Sequence, residues 1–74
     1  MAKDYDAAVF ARNVKARRIS LGFETQEELA KASGFSPAAI SSWESQRSIP
    51  NAASVVKLSR CLGCSTDELL GLTD

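Results

Sequence analysis

Histidine is absent from this sequence of 74 residues, cysteine occurs twice, and tryptophan and tyrosine once each. Without histidine, and with no glycine-rich phosphate loop and no clustered carboxylates outside helix starts and the charged tail, the chain has no inventory for acid-base, nucleophilic or phosphoryl-transfer catalysis. An enzyme is therefore not expected. The two cysteines form C-L-G-C at Cys61 and Cys64. A structural zinc needs four ligands and a redox pair needs a thioredoxin-like strand and helix, so both cysteines are read as small buried hydrophobes near a helix end. No cofactor and no metal are expected. No apolar run approaches the length of a membrane span, and the opening MAKDYDAAVF lacks the layout of a signal peptide, so a cytoplasmic location and no membrane partner are expected. Strand-period segments, repeats and low-complexity tracts are missing too.

Charge of one sign is also missing. Nine Lys and Arg stand against nine Asp and Glu, and the pI is near 6.2. Composition by itself does not suggest a polyanionic partner. The distribution is uneven, however: Arg12, Lys15, Arg17 and Arg18 crowd the first helical segment, whereas Asp67, Glu68 and Asp74 lie at the other end of the chain. One face can stay positive while the net charge vanishes, although Lys15 and Arg17 fit a solvated helix of alternating charge equally well.

What is present is an ordinary globular composition, 45% hydrophobic and 24% charged, in a length that suits one domain spanning residues 1–74 with a small core and little room for a pocket. The informative stretch is TQEELAKASGFSPAAISSWESQRSIP, from Thr25 to Pro50. Thr25 and Glu28 stand in capping-box spacing and start a helix, which Gly34 ends by supplying a left-handed turn residue. Ser36 caps a second helix, and Pro37 suits its first position because the missing N–H costs nothing there. Only Phe35 separates glycine from cap. So short a connection forces the helices to cross steeply, as in a helix-turn-helix that presents its second helix to a DNA major groove.

The remaining segments are helical as well. The first helix is expected to begin near Asp4 or Asp6 and to run to about Leu21, with Ala7, Phe10 and Val14 on an apolar face and Gly22 ending it. The second points Leu29 and Ala30 inward. The third, Pro37 to about Ser45, buries Ile40 and Trp43 and leaves Ala38, Ser41, Ser42 and Ser45 outward. Asn51 caps a fourth helix with Val55, Leu58 and Leu62 on one stripe, stopping at Gly63. Ser65 and Glu68 form another capping box before a short fifth helix carrying Leu69, Leu70 and Leu72. The expected fold class is all-α, a five-helix domain with its helix-turn-helix at helices 2 and 3.

With those residues in place the chain resembles the lambdoid phage repressor and Cro family of helix-turn-helix domains, the XRE type, from Val14 to Leu72. The resemblance is carried by A-R-R at Ala16 to Arg18, T-Q-E-E-L-A at Thr25 to Ala30, I-S-S-W-E at Ile40 to Glu44, Pro50, and L-S-R-C-L-G-C-S-T-D-E-L-L at Leu58 to Leu70. It implies a five-helix domain similar to the operator-binding part of a phage repressor. It further implies that Arg18 pairs with Glu44 as a structural brace, and that Gln26, Ser36, Arg47, Ser48 and Asn51 meet phosphates. Base reading would fall to Pro37, Ala38, Ser41 and Ser42. Here the chain departs from its relatives, which commonly place glutamine or asparagine at these positions to bond adenine N6 and N7 together. Serine offers a single bond, and the Pro37 and Ala38 carbons can pack on thymine methyls, so readout would lean on shape and apolar contact. Two further departures bear on loop geometry: Glu24 adds a residue between Leu21 and Gln26, and Gln46 stands where glycine is common.

The function expected is a sequence-specific DNA-binding transcriptional regulator of phage or prophage type, binding a pseudo-palindromic double-stranded operator as a homodimer, with no small-molecule ligand. Leu70 and Leu72 are candidates for the dimer contact, and Leu69 and Leu70 equally suit packing under helix 4. The alternative is an antitoxin-like protein-interaction module, which zero net charge and the weakly polar third helix leave open.

Overall fold

Every helix begins on a residue whose side chain accepts a backbone N–H that the helix itself cannot satisfy. The computed structural model describes residues 5–72; Asp4, proposed as a helix start, and Asp74, counted in the acidic tail, lie outside them. Asp6 caps α1 (Ala7–Ser20), Thr25 caps α2 (Gln26–Ser33), Ser36 caps α3 (Pro37–Glu44), Asn51 caps α4 (Ala52–Cys61) and Ser65 caps α5 (Thr66–Leu70). Among the described residues these five helices are the whole secondary structure. At Ser65 the reciprocal capping box is complete: the hydroxyl accepts from Glu68 N at 3.0 Å and Glu68 Oε1 accepts from Ser65 N at 3.2 Å. At Thr25 only half of the expected box forms. The Thr25 hydroxyl accepts from Glu28 N at 3.1 Å but still has its own proton, and the Glu28 carboxylate takes that proton at 3.4 Å rather than the cap N–H.

The core forms where the apolar stripes converge. Phe10, Val14, Leu29, Ile40, Leu58, Leu62 and Leu69 are buried completely or nearly so, with Ala30 and Trp43 closing the cluster. Each large aliphatic or aromatic side chain so placed stabilises the fold by about 1.5–3 kcal/mol relative to an exposed one. α3 packs on both α1 and α2, and α5 lies against α1 and α4. Cys61 and Cys64 are free, half-buried and packed against this core. Burial pushes the Cys64 thiol above its ordinary pKa, which keeps it neutral.

The turn between α2 and α3 is anchored from both sides. Gly34 adopts φ +82, and the buried Ser33 hydroxyl donates to Leu29 O at 2.7 Å while accepting from Phe35 N at 3.3 Å. Phe35 meets Trp43 edge to face at 4.9 Å, and Lys57 Nζ lies 4.8 Å from its ring centroid. The aromatic residue at the centre of this three-residue connection therefore pins the turn to α3 and α4. In the connection before α2, Phe23 turns back to the core and its carbonyl accepts from Arg18 Nη1 at 2.8 Å. Glu24 is exposed beyond that anchor, and Thr25 follows it as the cap of α2.

Candidate nucleic-acid interface

The helix that offers its surface is α3, and a buried polar cluster fixes it from below. Arg18 Nε donates to Glu44 Oε2 at 2.9 Å and Nη2 donates to Oε1 at 3.4 Å, with the two side chains only 6% and 5% exposed. Gln26 Nε2 donates to the same Oε1 at 3.1 Å. With Phe23 O on Nη1, one guanidinium ties α1, the α1–α2 loop and the end of α3 together, and the carboxylate adds the first turn of α2. A fork of donors facing two carboxylate oxygens fixes direction as well as distance, which a lysine could not do.

Above this cluster lies an open groove of about 580 Å³, with Lys15, Arg18, Gln26, Ala38, Ser41 and Glu44 among its walls. Of the residues singled out in α3, Pro37, Ala38 and Ser41 line this groove and Ser42 does not; Pro37 and Ala38 are exposed, Ser41 and Ser42 half-buried. Ser36, Arg47, Ser48 and Asn51 are exposed at the two ends of that surface, and Gln26 is half-buried beside it. The structure thus brings Gln26, Pro37, Ala38 and Ser41 together along one groove and joins Ser42 to Ser48, while Ser36, Arg47 and Asn51 are exposed in the turns that flank α3.

Several of them are already engaged. Ser36 Oγ accepts from Ala39 N at 3.1 Å and Asn51 Oδ1 accepts from Ser54 N at 2.8 Å, so each serves as a cap and keeps its own donor free. Gln26, held by Glu44, retains its carbonyl and one N–H. Ser42 and Ser48, taken in the sequence as independent positions, have their hydroxyl oxygens 2.7 Å apart. The sequence held no signal for that pair, because a spacing of six residues is neither a helical nor a turn period. Between them Gln46 adopts φ +66, the one non-glycine left-handed residue described. Glutamine therefore takes the conformation that glycine would supply, and the chain still reverses so that Arg47 N donates to Ser42 O at 2.9 Å.

The basic surface of α1 is smaller than its sequence suggests. Packing of α5 on α1 brings Glu68 Oε2 to 3.2 Å from Arg17 Nη2, and Arg18 is consumed by Glu44. Lys15 faces the groove with α2 and α3, and Arg12 is exposed. Between α1 and α5 a second hollow of about 400 Å³ is lined by Asn13, Arg17, Cys64 and Glu68 among others. Among the described residues no group of three or more His, Cys, Asp or Glu could hold a metal ion, and no helix is long and apolar enough to cross a membrane.

Two helices joined by the three-residue turn Gly34, Phe35 and Ser36, the second of them braced and both embedded in a five-helix core, define the helix-turn-helix class. The helix-turn-helix family model matches residues 14–69, and the chain belongs to that family. It is similar to the P22 c2 repressor crystallised with a synthetic operator, at 37% identity over 88% of this chain and 97% of the other, with a TM-score of 0.78. The solution structure of the P22 c2 repressor DNA-binding domain is 36% identical over 92% and 91% of the two chains, with a TM-score of 0.76. A hypothetical transcription factor from Neisseria, NHTF, is 30% identical over 95% and 82%, with a TM-score of 0.81. No curated protein sequence matches the chain. The fold is that of phage-repressor-like helix-turn-helix domains, and the chain is a DNA-binding transcriptional regulator of this family rather than an enzyme.

Proposed function

We propose that the chain is a phage or prophage type repressor that binds a pseudo-palindromic operator as a homodimer and blocks a promoter. The observation that carries this reading is the rigid mounting of α3: a buried Arg18–Glu44–Gln26 cluster holds a helix whose outer surface is made of Pro37, Ala38, Ser41 and Ser42, between two turns rich in hydrogen-bond donors. In this reading α3 enters the major groove and those four side chains meet base edges, while Gln26, Ser36, Arg47, Ser48 and Asn51 meet phosphates. The donors left free at Ser36, Gln26 and Asn51 suit phosphate oxygens, which only accept. Similarity to the P22 c2 repressor, crystallised with a synthetic operator, supports operator binding.

A single α3 reads too few base pairs to select a site among a genome of competitors, and a two-fold pair doubles the contacts. Leu72 is 39% exposed and available for such a pair, whereas Leu70 packs partly against the core. The domain folds around one core, and residues 1–74 are taken as one binding unit. The protein-interaction reading retains one observation in its favour, the neutralisation of Arg17 and Arg18 by carboxylates. Titration of random and operator-selected duplexes across salt concentrations separates the two. Repressor function requires affinity that falls steeply with salt and a stoichiometry of two chains per selected duplex. Salt-independent binding, or one chain per site, rejects it.

A further inference from the structure

We infer that Ser48 sets the hydrogen-bond polarity of Ser42, so that on DNA Ser42 presents only acceptor lone pairs to the base it faces. The inference rests on the reading above, in which α3 faces base edges and the Arg47–Asn51 turn faces phosphates, and it adds the class of base selected. The two hydroxyl oxygens lie 2.7 Å apart, and either could be the donor. That separation is the usual one for a hydroxyl-hydroxyl bond. The backbone holds them in reach: Arg47 N donates to Ser42 O at 2.9 Å, and Ser45 Oγ donates to the same carbonyl at 3.3 Å.

Each hydroxyl has one proton and can accept two bonds. Without DNA the bond can run in either direction, and the remaining proton goes to water. A phosphate oxygen accepts and never donates. When Ser48 meets one, its proton goes to the phosphate in a charge-assisted bond, which is stronger than a bond between neutral groups. The bond between the serines must then be donated by Ser42. Its only proton is spent, and its free lone pair is what remains for the base.

In the major groove the exocyclic amines of adenine and cytosine donate, whereas guanine N7 and O6 and thymine O4 accept. Adenine or cytosine opposite Ser42 therefore completes the network, and guanine or thymine sets acceptor against acceptor. Ser48 is a positioning residue here: its own contact is indifferent to sequence, but through one proton it imposes a sequence preference two turns of chain away. This gives a helix without amide side chains a polar criterion that serine alone, free to donate or accept, does not possess.

The test is site selection from a random duplex pool with the parent, Ser42→Ala, Ser48→Ala, Ser48→Thr and the double alanine variant, each also titrated with random duplex. Ser42→Ala identifies the position in each half-site that Ser42 reads. The parent should enrich adenine or cytosine there by about three- to tenfold, the scale of one hydrogen bond. Ser48→Ala should flatten that position to below about twofold and spare the others. Ser48→Thr, which keeps the hydroxyl, should restore it, and the double variant should match Ser42→Ala at that position. Guanine or thymine selected there, no position that depends on Ser42, or a Ser48→Ala protein that keeps the preference overturns the inference while leaving the repressor reading intact. A parent that shows no salt-sensitive duplex binding overturns both.

Discussion

Arg18 and Glu44, twenty-six residues apart, form a two-bond ion pair from which water is almost wholly excluded, with Nε to Oε2 at 2.9 Å and Nη2 to Oε1 at 3.4 Å. Removing one partner leaves a buried charge without its counter-charge. Glu44→Leu should therefore cost about 3–5 kcal/mol of stability, and Arg18→Met with Glu44→Leu together should cost clearly less than the sum of these two changes made singly. Urea unfolding of the four proteins measures the coupling; additive losses would show that the pair is not a unit.

Gln46 is left-handed at φ +66, a conformation that costs a non-glycine residue about 1–2 kcal/mol. Glycine removes that strain but adds freedom to the unfolded chain worth about 0.4–1 kcal/mol. Gln46→Gly should raise stability by a net of about 0.5–1 kcal/mol. Its side chain is exposed and serves no contact in the brace, so random-duplex affinity should be unchanged. A thermal melt at or below that of the parent contradicts the prediction.

Arg47 is exposed at the end of α3 and is proposed to meet a phosphate. Arg47→Ala should weaken binding to every duplex alike and reduce the slope of log affinity against log salt by about one unit. An altered preferred sequence at unaltered affinity would place Arg47 at a base. Gln26→Ala has a mixed outcome, because Gln26 also donates to Glu44 at 3.1 Å: affinity and stability should both fall.

Glu68 has its pKa lowered, first by the Ser65 backbone N–H and then by the Ser65 hydroxyl, with Arg17 contributing less. A carboxylate depressed on folding adds stability that is present above its unfolded pKa and is lost as the pH falls through the lower folded value. The contribution should therefore disappear below the ordinary carboxylate range near 4.5. Glu68→Gln should flatten the stability profile there and leave its shape near neutral pH as it was. Melting temperatures of both proteins from pH 6 downward, in steps of about half a unit, decide the matter.

Much of the fold was legible in the sequence because its determinants are local. Asp6, Thr25, Ser36, Asn51 and Ser65 cap helices from within a few residues, and glycines 22, 34, 63 and 71 follow helix ends with positive φ. Apolar spacing likewise named Phe10, Val14, Leu29, Ile40, Trp43, Leu58 and Leu62 as core, while Leu69, which spacing left open between core and partner, is buried. The resemblance to phage repressors supplied the Arg18–Glu44 pairing, which spacing by itself does not imply.

Tertiary structure alone decided which polar groups remain available. Helix 1 carries four cations in sequence, but packing against α5 gives Arg17 to Glu68, fifty-one residues away, and α3 takes Arg18. Gln26 is bound to a carboxylate eighteen residues on, and Ser42 shares its hydroxyl bond with Ser48 across a left-handed Gln46. The sequence by itself determined where helices start, stop and turn apolar faces inward, since caps, glycines and periodicity act within a turn or two of chain. The partners of Arg17, Gln26 and Ser42 were settled only by how the helices meet, because a hydrogen bond depends on where two groups lie in space and carries no memory of their separation along the chain.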